Sequence, residues 1–347
     1  MWKRWQFWLG LLISGVFLYV SLRALRLADV WQAIKSAQYL WLIPGVAVYF
    51  IGVWVRTWRW HYLLRPLKKI SVQKMFPIVT IGYMGNNIFP ARAGEVLRAV
   101  ILKEREGVPV SASLATIIVE RIFDGVVMLG FVFINLGQLS HLTQDSGFVG
   151  SIQQVALWGG IAFFTALGVF LLAAMFPKVA ERLLDWGLKF LPERVREKVR
   201  GVALRFLTGL ESLRSPVDAL MVFVTTVIIW LLETAKYWFV MHAFPFVVSF
   251  FALMLMNGIV NLTTTLPSAP GYIGTFDAPG IALLAAYGVN PELAAGYTLV
   301  LHAALWFPIT LLGAFFYFRQ PLRWGKDISR SDVAEPEAPV VNSRSTP

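Results

Sequence analysis

The stretch VERIFD places Glu120, Arg121 and Asp124 inside an otherwise apolar run, 112–138. At 1.5 Å of helical rise per residue, Glu120 lies about 12 Å and Asp124 about 18 Å into that run, so the three charges bracket the middle of a hydrocarbon core about 30 Å thick. Each costs roughly 2.5–3.5 kcal/mol at that depth even on the lenient insertion scale, and three facing lipid would cost about 9 kcal/mol. They must face protein or water. Spacings of i,i+3 and i,i+4 put them on adjoining faces of one helix, as a structural ion pair or as the wall of a path for a substrate or proton.

A second constellation is NNIFPARAGEVLRAV, residues 86–100. Pro90 and Gly94 break an incoming helix, and a new one can start near Gly94. Its free N–H groups and positive dipole end make an anion site, with Arg92 just before it and Arg98 one turn in. An arginine fork matches phosphate with two parallel hydrogen bonds. Glu95 suits the dipole but competes with an anion unless it pairs with Arg98. The alternative is that Arg92 and Arg98 snorkel to headgroups as anchors. Asn86 and Asn87 can satisfy backbone groups freed where the helix breaks.

The third is NGIVNLTTTLPSAPGYIGTFDAPG, residues 257–280. It offers Asn257, Asn261, three threonines, the breakers Pro267, Gly271 and Gly274, and Asp277 as its charge, a suitable lining for a polar headgroup. His302 sits in the last apolar run and falls opposite Arg121 when the two halves of the chain are aligned. That suits an anion path or a proton-coupled switch, although a lone histidine there can equally be bonded to a neighbour. Glu233 and Lys236 are an i,i+3 pair near one end of their run, where snorkelling accounts for Lys236.

The elements that must carry these groups are membrane helices. Of the 347 residues, 57% are hydrophobic and 15% charged, a balance that excludes an ordinary soluble domain. The expected class is all-α, polytopic, with about six spans near 5–22, 39–55, 112–138, 153–176, 217–241 and 293–318. With no cysteine, disulfides and thiolate metal sites are excluded, and the four histidines lack zinc spacing. No metal or cofactor is expected, and no P-loop is present. The net charge of +11 suits topology and anionic headgroups rather than nucleic acid. The N-terminal run reads as a retained signal anchor, and residues 326–347 as a disordered tail after a membrane domain covering 1–325.

Basic residues orient the spans. The segment 56–74 holds Arg56, Arg59, Arg65, Lys68, Lys69 and Lys74 without an acid, and 177–216 is also basic; 139–152, 242–248 and 285–292 contain neither Lys nor Arg. The first two are expected in the cytoplasm with both termini, and the others outside. The broken stretches 73–106 and 249–288 must then enter and leave on one side each, as two re-entrant hairpins from opposite faces. Pro90 and Gly94 recur in spacing as Pro267 and Gly271, and GVPVSASLA as GVNPELAAG, at nearly one offset. This predicts an inverted repeat, about 73–138 and 249–318, the architecture in which broken helices meet near the midplane to form a transport site. Residues 189–215 space Val195, Val199, Val202, Phe206, Leu210 and Leu213 along a helix with cations between. Such a helix lies on the inner membrane surface or on the protein's own cytoplasmic face.

At NNIFPARAGEVLRAVILKEREGV, ATIIVERIFD and LPSAPGYIGTFD, in that order, the chain resembles the lysylphosphatidylglycerol synthase transmembrane, or flippase-like, family over almost all of residues 5–320. The resemblance implies movement of aminoacylated phospholipid, or handling of other lipid-linked headgroups. The soluble aminoacyl-transferase domain of the synthases is not seen in the sequence, so lysyl transfer is not implied. The reading is a translocase of phospholipid or a lipid-linked anionic substrate in the cytoplasmic membrane. Against it stands an integral membrane enzyme or accessory subunit of glycolipid or cell-envelope synthesis, with Glu120 or Asp124 as general base but no nucleophile or nucleotide motif. A non-transporting scaffold is the third reading. The partners the translocase reading expects are the membrane lipid itself and either a second copy of the chain or an envelope-synthesis enzyme.

Overall fold

The computed structural model describes residues 5–23, 25–89, 92–142, 147–189, 192–265 and 268–319. Pro90, Pro267 and the tail 326–347 lie outside the described residues. Within them the chain is helical: α1 (Trp5–Leu22), α2 (Leu27–Lys35), a 3-10 turn (Tyr39–Trp41) running into α3 (Leu42–Leu64), α4 (Val72–Ile88), α5 (Ala93–Glu106), α6 (Val110–Leu142) and α7 (Gly147–Met175). Then follow α8 (Pro177–Leu188), α9 (Glu193–Gly209), a 3-10 turn (Glu211–Arg214), α10 (Pro216–Met241), α11 (Phe250–Thr263), a 3-10 turn (Pro270–Tyr272), α12 (Asp277–Ala286) and α13 (Pro291–Arg319).

Local chemistry sets the boundaries. Ser215 Oγ accepts from Asp218 N at 3.2 Å ahead of Pro216, and Ser249 Oγ accepts from Ala252 N at 3.1 Å, so hydroxyls cap α10 and α11. Asn290 Oδ1 does the same for Leu293 N in α13, and Gly107 ends α5 in the left-handed conformation.

Tyr39–Leu64, Leu157–Met175, Pro216–Met241 and Pro291–Arg319 are long and apolar enough to cross a membrane. The fold is therefore that of an all-helical, multi-pass membrane protein. The first of these runs nine residues past the expected end of its span at 55, because Trp58, Trp60, Leu63 and Leu64 continue the apolar pattern. Arg56 and Arg59, expected in a cytoplasmic loop, are instead buried within α3.

The packing is reciprocal. Helices α3 and α10 lie against each other, α4 packs on α13, and α11 packs on α6; each broken segment thus rests on a long helix from the other half. Among these contacts, the hairpin α4–α5 closes tightest. A Cβ on Gly94 would stand 1.9 Å from the Gly82 carbonyl oxygen, a separation only glycine avoids. Helix α9 packs along α6, and the Arg200 guanidinium joins it to α8 by donating to both Asp185 carboxylate oxygens at 2.7 and 3.3 Å. Val179, Leu183 and Trp186 leave an exposed apolar stripe on α8, and Val195, Val199 and Val202 one on α9.

Candidate functional site

Two hairpins meet at one cavity of about 140 Å³, walled by α3, α4, α6, α10, α11, α13 and the turns at 92 and 271–272. Its polar wall includes Arg56, Asn86, Asn87, Arg92, Arg121 and Glu233, and His302 closes one side. Arg92 bridges the halves: its Nη2 donates to the Thr264 carbonyl oxygen at 3.2 Å, and its guanidinium lies 5.6 Å from the centre of the Tyr272 ring. Arg92 and Tyr272 have φ of 52° and 62° and are the two non-glycine residues with positive φ among those described. A left-handed conformation costs about 1–2 kcal/mol for such residues, and strain of this kind collects where the surroundings dictate the backbone. Here it sits where the two hairpins touch.

The buried charges form two linked groups. In the first, Arg59, fully buried in α3, donates from Nη1 to Asp124 Oδ1 at 2.6 Å and to Thr226 Oγ1 at 2.8 Å, while Trp230 Nε1 donates to the same carboxylate at 3.0 Å. Arg121 reaches Asp124 at 3.1 Å and Glu95 at 3.6 Å. Glu120 is enclosed between Arg98 and Arg59. In the second, Glu233 takes Arg56 at 2.5 Å on one oxygen and Lys236 on the other. Lys236 is 3% exposed and stands 4.5 Å from the centre of the Tyr49 ring. Snorkelling does not describe it, because its ammonium is held inward by a carboxylate one helical turn back and by an aromatic face on α3.

Of the residues singled out by sequence, the cavity gathers Asn86, Asn87, Arg92, Arg121, Asn261, Gly271 and His302. Asp124 lines an adjoining cavity of about 260 Å³ that shares Arg92, Arg121 and Asn261 and adds the apolar Met128 and Phe163. Gly94 and Arg98 border a much smaller space beside α4, with Arg98 under the Trp60 ring. The start of α5, expected to present bare amides, is packed on α4, and Glu95 N donates to the Arg92 carbonyl. Glu120 faces the interior away from the cavity, and Asp277 stands behind His302 while Gly274 donates to its carboxylate. Asn87 does not mend its own helix end; its Nδ2 donates to Thr310 Oγ1 at 2.8 Å and ties α4 to α13.

The family described as the lysylphosphatidylglycerol synthase TM region matches residues 7–313. The chain belongs to this family. Among similar proteins, a UPF0104 membrane protein of Methanothermobacter thermautotrophicus is 26% identical over 86% of this chain and 91% of its own. The UPF0104 membrane protein PH1989 of Pyrococcus horikoshii is 23% identical over 89% and 96%. Glycosyltransferase AglD of Haloferax volcanii is 27% identical over 78% of this chain, which spans 47% of that protein. The family match itself, over residues 7–313, includes every residue that walls the cavity.

The cavity also holds Tyr49, Tyr83 and Tyr272, which the sequence did not single out, and Arg56, Glu233 and Lys236, which it pointed to as a cytoplasmic charge and a snorkelling pair. A usable signal was present for the charged ones. Arg56 and Arg59 stand at i,i+3 in an apolar pattern that continues on both sides of them, as do Glu233 and Lys236. Charge flanked by apolar helix marks an interior position, whereas charge at the end of a run marks an anchor. The tyrosines carry no such mark, since aromatic residues line membrane helices everywhere.

Proposed function

We propose that this protein is a translocase carrying the anionic headgroup of a phospholipid or lipid-linked substrate across the cytoplasmic membrane, with the acyl chains left in the bilayer. The observation that carries this reading is the charge of the buried clusters. Arg56, Arg59, Arg98 and Lys236, all buried, and the partly buried Arg92 and Arg121 make six cations, set against the buried Glu120, Asp124 and Glu233 and the partly buried Glu95. Arg92 Nε and Arg121 Nε are buried without a hydrogen-bond partner, on side chains that line the cavity. Surplus positive charge in a low-dielectric site is stabilised by an anion, and guanidinium forks select phosphate. The adjoining apolar space by Met128 and Phe163 suits the start of an acyl chain.

The topology that goes with this reading is six spans with cytoplasmic termini and two re-entrant hairpins, α4–α5 and α11–α12, in an inverted repeat within a domain of residues 1–325. Helices α4 and α11 have 17 and 14 residues, too short to cross about 30 Å at 1.5 Å per residue. The exchange of α4 onto α13 and of α11 onto α6 supports the repeat. Alternating access by movement of one half against the other would expose the cavity to each side in turn. The stripes on α8 and α9 would rest on the inner leaflet.

The test is a dithionite assay on proteoliposomes holding fluorescent phosphatidylglycerol. Wild-type protein is expected to raise the accessible fraction above that of protein-free vesicles, and Arg121→Ala to lower the rate at least about tenfold, the worth of one charged hydrogen bond. Wild-type vesicles no faster than empty ones would remove the translocase. The second reading, an enzyme or accessory subunit of glycolipid synthesis, draws support from the relative named a glycosyltransferase. Product formed from a lipid-linked sugar donor by the purified chain would favour it.

A further inference from the structure

Both ring nitrogens of His302 are engaged by oxygen atoms. Nδ1 lies 2.8 Å from Asp277 Oδ1, and Nε2 lies 2.7 Å from the carbonyl oxygen of Gly271. A carbonyl only accepts, so Nε2 carries a hydrogen. The second carboxylate oxygen, Asp277 Oδ2, already accepts from Gly274 N at 2.9 Å. A neutral imidazole with its hydrogen on Nε2 would then turn a bare Nδ1 lone pair toward a carboxylate lone pair across 2.8 Å. That contact is repulsive unless one proton lies between the two atoms, on Nδ1 or on Oδ1.

The geometry points to the His302–Asp277 pair as a proton-binding site that couples the anion cavity to a transmembrane proton gradient. The step is a proton transfer alone. One proton from water on one side of the membrane enters between Nδ1 and Oδ1, and it is later released to water on the other side. This inference rests on the translocase reading for what the proton drives, but not for whether the proton is held.

Three features link the proton to the cavity. His302 lines the cavity wall while Asp277, 2% exposed, is sealed behind it. The bonded partners are the ends of one turn, Gly271 and Gly274, with φ of 73° and 83°, left-handed values that glycine adopts freely and that let a turn swing. Between them Tyr272 offers its ring to the Arg92 guanidinium. Loss of the proton sets the Nδ1 and Oδ1 lone pairs against each other while Nε2 still holds the Gly271 carbonyl, so the repulsion moves the ring and the turn together and shifts the wall against which Arg92 is held. Because coupling is reciprocal, an anion at Arg92 and a proton at His302 change each other's affinity by the same factor. The other titratable groups around this cavity are Arg56, Arg92, Arg121, the Lys236–Glu233 pair and the tyrosines 49, 83, 237 and 272. Arginines keep their charge at all working pH values, which leaves Lys236 as the competing origin of a pH response.

Two measurements separate the outcomes. In the first, full-length protein with His61, His141 and His242 changed to glutamine is labelled with 15N-histidine and 13C-aspartate in phosphatidylglycerol nanodiscs. At neutral pH the His302–Asp277 pair is expected to hold one proton more than the same protein carrying Asp277→Asn, seen on Nδ1 or on the carboxyl. Equal proton content in the two proteins overturns the inference, whether or not lipid is moved. In the second, fluorescent phosphatidylglycerol flux is followed with and without an imposed pH gradient. The ratio of the two rates is expected to depart from one in wild type and in Lys236→Arg, and to return to one in Asp277→Asn. A ratio that survives Asp277→Asn, or a ratio of one in wild-type vesicles that do move lipid, overturns the coupling. Vesicles that move no lipid while the extra proton is found would remove the translocase and leave the proton site standing.

Discussion

Glu233 illustrates what a buried carboxylate does when it holds two cations at once. Its two oxygens take Arg56 and Lys236, and all three groups border the cavity. Glu233→Gln leaves an ammonium and a guanidinium facing each other without compensation, and removal of one member of a buried ion pair costs about 3–5 kcal/mol. Thermal unfolding in detergent is expected to show a large loss for Glu233→Gln and a smaller one for the double variant Glu233→Gln with Lys236→Met, because the second change removes the cation the first one stranded. Additive losses would mean that the groups act independently. Arg59 is expected to be more sensitive still, since its guanidinium, 0% exposed, meets Asp124, Glu120 and Thr226 together. Arg59→Lys would keep the charge but lose the fork, and it is expected to unfold at clearly lower temperature than wild type.

At the scale of elements, the helix breaks are built by close packing as much as by breakers. The α4–α5 hairpin closes because Gly94 sits against the Gly82 carbonyl and against Asn86. Gly94→Ala would drive a methyl into backbone that cannot rotate away, and overpacking of this kind costs about 1–3 kcal/mol. The expected result is a lower unfolding temperature together with displacement of Arg92, read as slower lipid movement at temperatures where the protein is still folded. Unchanged stability would show that the hairpin is looser than this packing implies. The α11 side is tied differently: Asn257 Nδ2 donates to the Trp230 carbonyl and to Thr234 Oγ1, and Asn261 donates to Asn257. Here amide side chains rather than glycine contact hold a broken segment against a long helix.

For the whole molecule the decisive quantity is which side of the membrane each connection occupies. The natural absence of cysteine makes single-cysteine labelling direct. Lys69→Cys, in the exposed link between α3 and α4, is expected to react with an impermeant maleimide only after the cells are permeabilised. Val247→Cys, 83% exposed ahead of α11, is expected to react from outside. Reaction of both from one side would dismantle the inverted topology and, with it, the alternating-access reading.

Much of this was legible in the sequence. Apolar length gave the long helices, the breakers Gly94 and Gly271 marked the turns that meet at the cavity, and VERIFD announced buried charge, because composition and spacing act locally along the chain. The sequence by itself determined an all-helical membrane protein with ionised groups at depth. Only the tertiary structure decided how those groups pair: Glu120 with Arg98, Asp124 with Arg59, Glu233 with Arg56. Such partners lie on different helices, and where two distant helices touch depends on side-chain packing across the bundle, a long-range property that no local spacing encodes.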